Sequence, residues 1–208
     1  MIVALILLSM TFVTPWYRST QERGDMTMDQ DYYFDESKTS INDREADSQE
    51  YDDAEMREVG SVFDNTRIFV ISAMVGTILG IIGALLVAIN IASPKIGAML
   101  VIIGFIFAII APIYMAIDLP NAFEKEWEDE SEDELATYQE GMAKHFFGSS
   151  YEEINGVEVD ASWGGSTAWF LAIIAAFINL IAFGLVFTAK PGPESSKNRK
   201  QQASQGRA

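Results

Sequence analysis

Carboxylates are the groups in this sequence best placed to do chemistry. Asp29, Asp31, Asp35 and Glu36 lie close together, and Glu50, Asp52, Asp53 and Glu55 form a second group. Carboxylates at that density are what hard cations such as calcium take, although neither group has the glycine and terminal glutamate of an EF-hand loop. Glu153 and Glu158 flank Asn155-Gly156, a dipeptide suited to a two-residue hairpin because both central residues need positive φ. That register pairs Ile154 with Val157 and sets Glu153 opposite Glu158, where two like charges repel unless a cation or solvent relieves them. Paired carboxylates can also do acid–base work.

The rest of the inventory excludes more than it offers. His145 is the sole histidine and cysteine is absent, so disulfides, thiolate nucleophiles and Cys-ligated zinc or iron–sulfur sites are ruled out. No nucleophile elbow, phosphate-binding glycine loop or H-E-x-x-H motif occurs. The expectation is a protein that is not an enzyme and needs no cofactor. Asp29, Asp31, Asp35, Glu153 and Glu158 are candidate ligands for a divalent cation.

The elements that position these groups follow from how charge is distributed. The chain has 208 residues, 49% hydrophobic, yet 30 acidic against 14 basic groups give a net charge of -16. No Asp, Glu, Lys, Arg or His occurs between Ile68 and Asn90, between Ile96 and Ile117, or between Thr167 and Ala189. Each run exceeds the ~18 apolar residues that mark a transmembrane helix, since about 20 residues at 1.5 Å rise cross a ~30 Å hydrocarbon core. The amino-terminal stretch from Met1 to Trp16 lacks a basic leader and a small-residue cleavage site, so it reads as a retained first helix rather than a signal peptide. Its apolar part is short for a crossing, which leaves Met1 and a start upstream of it as alternatives.

Segment charges then orient the chain. Residues 17–67 carry a net charge of -9 and residues 118–166 a net charge of -12, whereas Lys95 and the tail from Lys190 together carry +5. Lysine and arginine near helix ends mark the cytoplasmic side. The expected organisation is a first transmembrane helix over 1–16, an acidic exported loop over 17–66, a second helix over 67–91 and a cytoplasmic turn over 92–95. A third helix over 96–117, a second acidic exported loop over 118–166, a fourth helix over 167–189 and a basic disordered tail over 190–208 complete it. The fold class is therefore an all-α transmembrane four-helix bundle with a small α+β extracellular domain, in the plasma membrane, with both termini cytoplasmic.

Small residues supply close helix packing in lipid, where apolar surface alone gives little drive. Gly76, Gly80 and Gly83 form such a stripe on the second long helix, and Ala168, Ala172 and Ala176 form one on the last, with Asn179 as its amide. Pro112 is expected to kink the third helix. Trp16, Tyr17, Trp163 and Trp169 fall near the outer boundary and are assigned to an aromatic belt. The three clear spans hold no Asp, Glu, Lys, Arg or His, which argues against a pump, proton relay or voltage sensor.

Within the loops, Asp25–Gln30 and Tyr32–Phe34 read as short strands around an Arg23-Gly24-Asp25 turn, a tripeptide too short to carry an adhesion function. Residues 39–53 have little apolar content and read as mobile. Met56, Val59, Val62 and Phe63 have helical spacing, which extends the second helix outward by about three turns. Ser131-x-x-Glu134 is a capping-box pattern before Leu135, Tyr138, Met142 and Phe146, predicting a helix over about 132–147 closed by Gly148, followed by the hairpin over 151–160.

The order of parts resembles the claudin and peripheral-myelin-protein group, and also four-helix membrane proteins of archaeal type with a Pro-Trp-aromatic end to the first helix. The residues that carry the likeness are Thr14-Pro15-Trp16-Tyr17, Asn65-Thr66-Arg67 entering a glycine-rich helix, and Trp163-Gly164-Gly165-Ser166-Thr167-Ala168-Trp169. The Gly-Leu-Trp and cysteine pair of claudins have no counterpart, and no functional residue is carried over. The resemblance implies a left-handed four-helix bundle carrying an extracellular sheet, with a role in lateral or cell-surface association. The expected partners are the lipid bilayer, other membrane or envelope proteins or further copies of the chain, and divalent cations, but not nucleic acid. Divalent-cation binding or sensing is the alternative function.

Overall fold

The computed structural model describes residues 1–51, 56–128, 137–154 and 156–189. In chain order these form α1 (Ile2–Met10), β1 (Tyr17–Arg23), β2 (Met26–Tyr32), β3 (Glu36–Ile41), β4 (Arg44–Glu50), α2 (Arg57–Ala88), α3 (Pro94–Glu126), α4 (Thr137–Lys144), β5 (Gly148–Ile154), β6 (Val157–Gly165) and α5 (Thr167–Phe187). The six strands make one antiparallel sheet in the order β4-β3-β2-β1-β6-β5.

This corrects the four-helix transmembrane bundle. Among the described residues only α2, α3 and α5 are long and apolar enough to cross a membrane. The first helix has nine residues, about 14 Å at 1.5 Å per residue, which is half a hydrocarbon core. It ends at Met10 because the chain must turn through Pro15 into β1, where Trp16 N–H donates to the Tyr32 carbonyl. The cytoplasmic placement of both termini rested on the fourth crossing and falls with it. The share of sheet is also larger than expected, since residues 39–50, read as mobile, are β-structure.

Why those polar residues form strands is visible in the turns. Asn42 and Asp43 both have positive φ, at 49° and 62°, the conformation of a two-residue hairpin whose twist matches its strands. The Asn42 side-chain oxygen also accepts from the Thr27 backbone amide at 2.8 Å, tying the β3–β4 turn to β2. Gly24, with φ 59°, does the equivalent for β1–β2. Gly148 was expected to close a helix in the left-handed conformation, but it opens β5 and is not among the residues with positive φ. The helix before it is α4, shorter than expected at its carboxyl end, with Phe146 and Phe147 outside it. Ser131 and Glu134 of the capping box lie outside the described residues.

The membrane helices meet along a seam of small residues. A Cβ built on Gly76 would lie 2.7 Å from the Gly104 backbone nitrogen, and one on Gly83 would lie 3.2 Å from the Gly97 carbonyl oxygen. Gly80 packs between them against Val101. Ala168, Ala172, Ala175 and Ala176 of α5 are fully buried, and α5 packs on α1 and α3. Asn179 Nδ2 donates to Thr77 Oγ1 at 3.0 Å, and Thr77 donates on to the Ala73 carbonyl at 2.8 Å, a polar link from α5 to α2 in an apolar interior. Two prolines, Pro112 and Pro120, lie inside the 33 residues of α3. The Pro112 carbonyl accepts from Trp169 Nε1 at 3.0 Å.

The sheet caps one end of these helices. Alternation along β1 and β6 sends one set of side chains to the helices and the other to solvent. Tyr17, Ser19, Tyr32, Ala161 and Trp163 are buried on the helix side, where Tyr17 meets Phe123 and Phe146, and Tyr32 stacks on Phe63. Burial pushes the Tyr17, Tyr32 and Tyr51 phenols up from their ordinary value, so this core stays uncharged across the physiological range. The aromatic-belt assignment is corrected at Trp16, Tyr17 and Trp163, which are 0%, 1% and 8% exposed. They are core residues beneath the sheet, and Trp16 Nε1 donates to the Thr11 carbonyl at 3.1 Å. Trp169 is partly buried, edge-to-face with Phe147 and Phe170.

Candidate functional site

The outer face of the sheet is a broad polar surface on which no element of the described residues packs. Its side chains are set by register. Across β3, β2 and β1 runs Lys38–Asp31–Arg18, across β2, β1, β6 and β5 run Asp29–Thr20–Ser162–Ser149 and Thr27–Glu22–Asp160–Tyr151, and Glu158–Glu153 follow on β6 and β5. No aliphatic side chain interrupts these rows. The face is a carpet of hydroxyls and charges with two aromatic rings, that of Tyr151 at the β5 end and that of Tyr33, under Lys38, toward β3.

The predicted carboxylates do not share a site. Asp31 accepts two hydrogen bonds from Arg18, at 2.6 and 2.7 Å, which engage both its oxygens. Asp29 accepts from the Thr20 hydroxyl at 2.5 Å. Asp35, beyond the end of β2, pairs with Arg67 of α2 at 2.6 Å and ties the sheet to the membrane helix. Glu153 and Glu158 face each other near the far edge of the sheet. Among the described residues no three acidic or histidine side chains converge on a point that could hold a metal ion, so the divalent-cation cage does not form from these residues. Asp52, Asp53 and Glu55 of the second acidic group lie outside the described residues. Asn155 does too, while Gly156 has the positive φ, 78°, that its hairpin position needs. His145 offers its backbone carbonyl to Trp163 Nε1 at 3.0 Å, a packing role.

Three carboxylate pairs stand directly across strand ladders, namely Glu153 and Glu158, Glu22 and Asp160, and Glu36 and Glu50. The first is readable from the Asn-Gly turn, whereas the other two depend on pairings between distant or weakly patterned strands. Glu36 is compensated, because hydrogen bonds from Ser48 and Lys38 hold its carboxyl below the usual range. No ion pair reaches Glu22, Asp160, Glu153 or Glu158 among the described residues. Like charges placed opposite one another destabilise a sheet by roughly 0.2–1 kcal/mol per pair, and the screening length falls from ~10 Å at 0.1 M salt to ~3 Å at 1 M. The thermal midpoint of the detergent-solubilised protein is therefore expected to rise with sodium chloride. A Glu22→Gln/Glu153→Gln variant should recover about 1 kcal/mol at low salt and respond less. An unchanged salt response in that variant would show that the repulsion is not carried by these pairs.

Three concavities border the sheet end of the molecule. One lies between Tyr51 and the first turns of α2, with Asp35, Glu50, Arg57 and Asp64 on its walls. Another lies between the outer turns of α2 and α3, near Tyr114 and Asp118. The third opens on the outer face over β1, β6 and β5, holds about 480 Å³, and is walled by Thr20, Glu22, Ser149, Tyr151, Asp160 and Ser162. Sequence reading missed these last six because β1 and β6 are distant in the chain, and no local pattern pairs them. Comparison with known proteins adds no relative, since no family model matches the chain and no curated protein is similar enough in sequence to count as a match.

Proposed function

We propose that this chain is a multi-pass plasma-membrane protein that acts as a non-enzymatic scaffold or accessory subunit, presenting its acidic sheet outside the cell to other envelope proteins. The observation that carries the reading is the outer face of the sheet, a broad polar surface held on three helices long and apolar enough to cross a membrane, with no element of the described residues packed on it. The charge distribution supports the orientation. The turn between α2 and α3 and the end of α5 lie away from the sheet; Lys95 stands in the first turn of α3, and Lys190, Lys197, Arg199 and Lys200 come after α5 in the sequence. The likeness to the claudin and peripheral-myelin-protein group points the same way, toward lateral or cell-surface association.

Because the sequence has no cysteine, a single introduced thiol reports its own location. Ser162→Cys, on the outer face, is expected to react with a membrane-impermeant maleimide in intact cells, and Ser93→Cys only after permeabilisation. The reverse pattern would overturn the orientation. Gentle extraction followed by crosslinking and native mass measurement tests the scaffold role. A particle heavier than the 23.0 kDa chain and its lipid is the expected result, and a solitary monomer at native expression would remove the proposal.

A further inference from the structure

The concavity over β1, β6 and β5 has a chemistry narrower than that of the face around it. Its two rows follow from register, with the hydroxyls of Thr20, Ser162 and Ser149 in one and Glu22, Asp160 and Tyr151 in the next. Tyr151 is 58% exposed and shares this face with Asp160, directly across the ladder from it. Glu22 and Asp160 stand side by side with no cation paired to either among the described residues.

Every group there is negative or can accept a hydrogen bond, and the aromatic face adds the negative pole of its quadrupole. A bare metal ion is a poor complement. Its ligands must converge on one point, and no three acidic or histidine groups do so among the described residues. A planar guanidinium fits better, because it stacks on an aromatic face while its fork of N–H donors reaches carboxylates and hydroxyls spread over neighbouring strands. An ammonium would gain the charge attraction but not the stacking. The concavity, about 480 Å³, has room for such a side chain.

We infer that this concavity is a docking site for an arginine-bearing segment of a partner protein, with Tyr151 as the stacking platform and Glu22 and Asp160 as the anionic clamp. The inference rests on the reading of the chain as an interaction protein and names the partner's chemistry.

The test uses the full chain in nanodiscs of neutral lipid and a fluorescent hexa-arginine peptide as probe, read by anisotropy at fixed ionic strength. Tyr151→Ala is expected to weaken binding about threefold, the scale of an exposed cation–π contact, while Tyr151→Phe keeps the ring and holds affinity within about twofold. Glu22→Gln/Asp160→Asn should weaken it roughly tenfold. Asp43→Asn/Glu50→Gln removes the same charge from the other end of the sheet and should change affinity less than about twofold. A hexa-lysine peptide should bind more weakly than hexa-arginine. Equal losses in the clamp and distal variants would reduce the effect to general attraction by a negative surface and overturn the site, as would full binding by Tyr151→Ala. Failure here is separable from failure of the scaffold role. Assemblies that survive the clamp and Tyr151→Ala variants in native mass measurement leave the scaffold standing and remove this site. The expected variant pattern in a strictly monomeric protein does the opposite.

Discussion

Gly104→Ala is expected to destabilise the protein by about 3 kcal/mol, the upper range for overpacking a tight interior. A Cβ on Gly104 would lie 2.8 Å from the Thr77 backbone nitrogen and 3.0 Å from the Gly76 carbonyl carbon, and one on Gly76 would meet Gly104 in return. These are backbone atoms, which cannot rotate away as a side chain can. The helices must separate, and the contacts of Gly80 with Val101 and Gly83 with Gly97 loosen with them. Gly184→Ala is the matched control, because nothing lies within 4 Å of its Cβ position. That change should fall within about 0.5 kcal/mol of the parent, helped by the better helix propensity of alanine. Unfolding in mixed micelles, followed by the loss of tertiary fluorescence, compares the two. Equal stability of Gly104→Ala and Gly184→Ala would show that the seam does not hold the helices at this distance.

The seam matters to the sheet because the same two helices, α2 and α3, carry its mount at their ends. At their outer ends the Glu126 carboxylate accepts hydrogen bonds from the Glu58 and Val59 amides, which would otherwise be unpaired at the start of α2. Lys125 pairs with Glu58 at 3.3 Å beside it. Phe63 and Phe123, carried on those same outer turns, pack under Tyr32. A change of spacing in the membrane would therefore reach the sheet through rigid elements, and through them the relative positions of β1 and β6.

What could be read from the sequence divides along the range of the interaction. The three uncharged runs announce α2, α3 and α5, because hydrocarbon demands long apolar helices whatever lies around them. The Asn155-Gly156 dipeptide announces the pairing of Glu153 with Glu158, since a two-residue turn defines register by itself. Strands β3 and β4 were missed because Glu36–Glu50 offers almost no apolar alternation. They exist through the Asn42-Asp43 turn and through pairing with β2, which is anchored in the core at Tyr32. The first helix, already short for a crossing in the sequence, does not make the fourth one, because α1 has nine residues and the chain then enters the sheet. The candidate docking groove was not legible at all. Its residues Thr20 and Glu22 meet Ser162 and Asp160 only across the β1–β6 ladder, and closing a loop of that size leaves no local signature.

Trp163→Ala is the substitution expected to separate that groove from the rest of the molecule. The indole is 8% exposed and is approached closely by two glycines, with Cβ positions on Gly141 and Gly148 falling 2.3 and 2.4 Å from its ring. Its nitrogen donates to the His145 carbonyl. Removing the ring forfeits about 4 kcal/mol by transfer and cavity terms, and it frees α4 from the strand that it packs upon. Hydrogen exchange should quicken in α4 and β5, which carries Ser149 and Tyr151, while α2 and α3 keep their protection. The binding of arginine peptide should fall with it. The glycine contact can be isolated by a double-mutant cycle. Gly141→Ala is expected to cost about 2 kcal/mol in the parent, where the new methyl meets a ring that Gly148 also approaches closely. Beside Trp163→Phe, whose smaller ring vacates that space, the same change should cost less than half as much. Additive costs across the cycle would mean that Gly141 is constrained by something other than the indole.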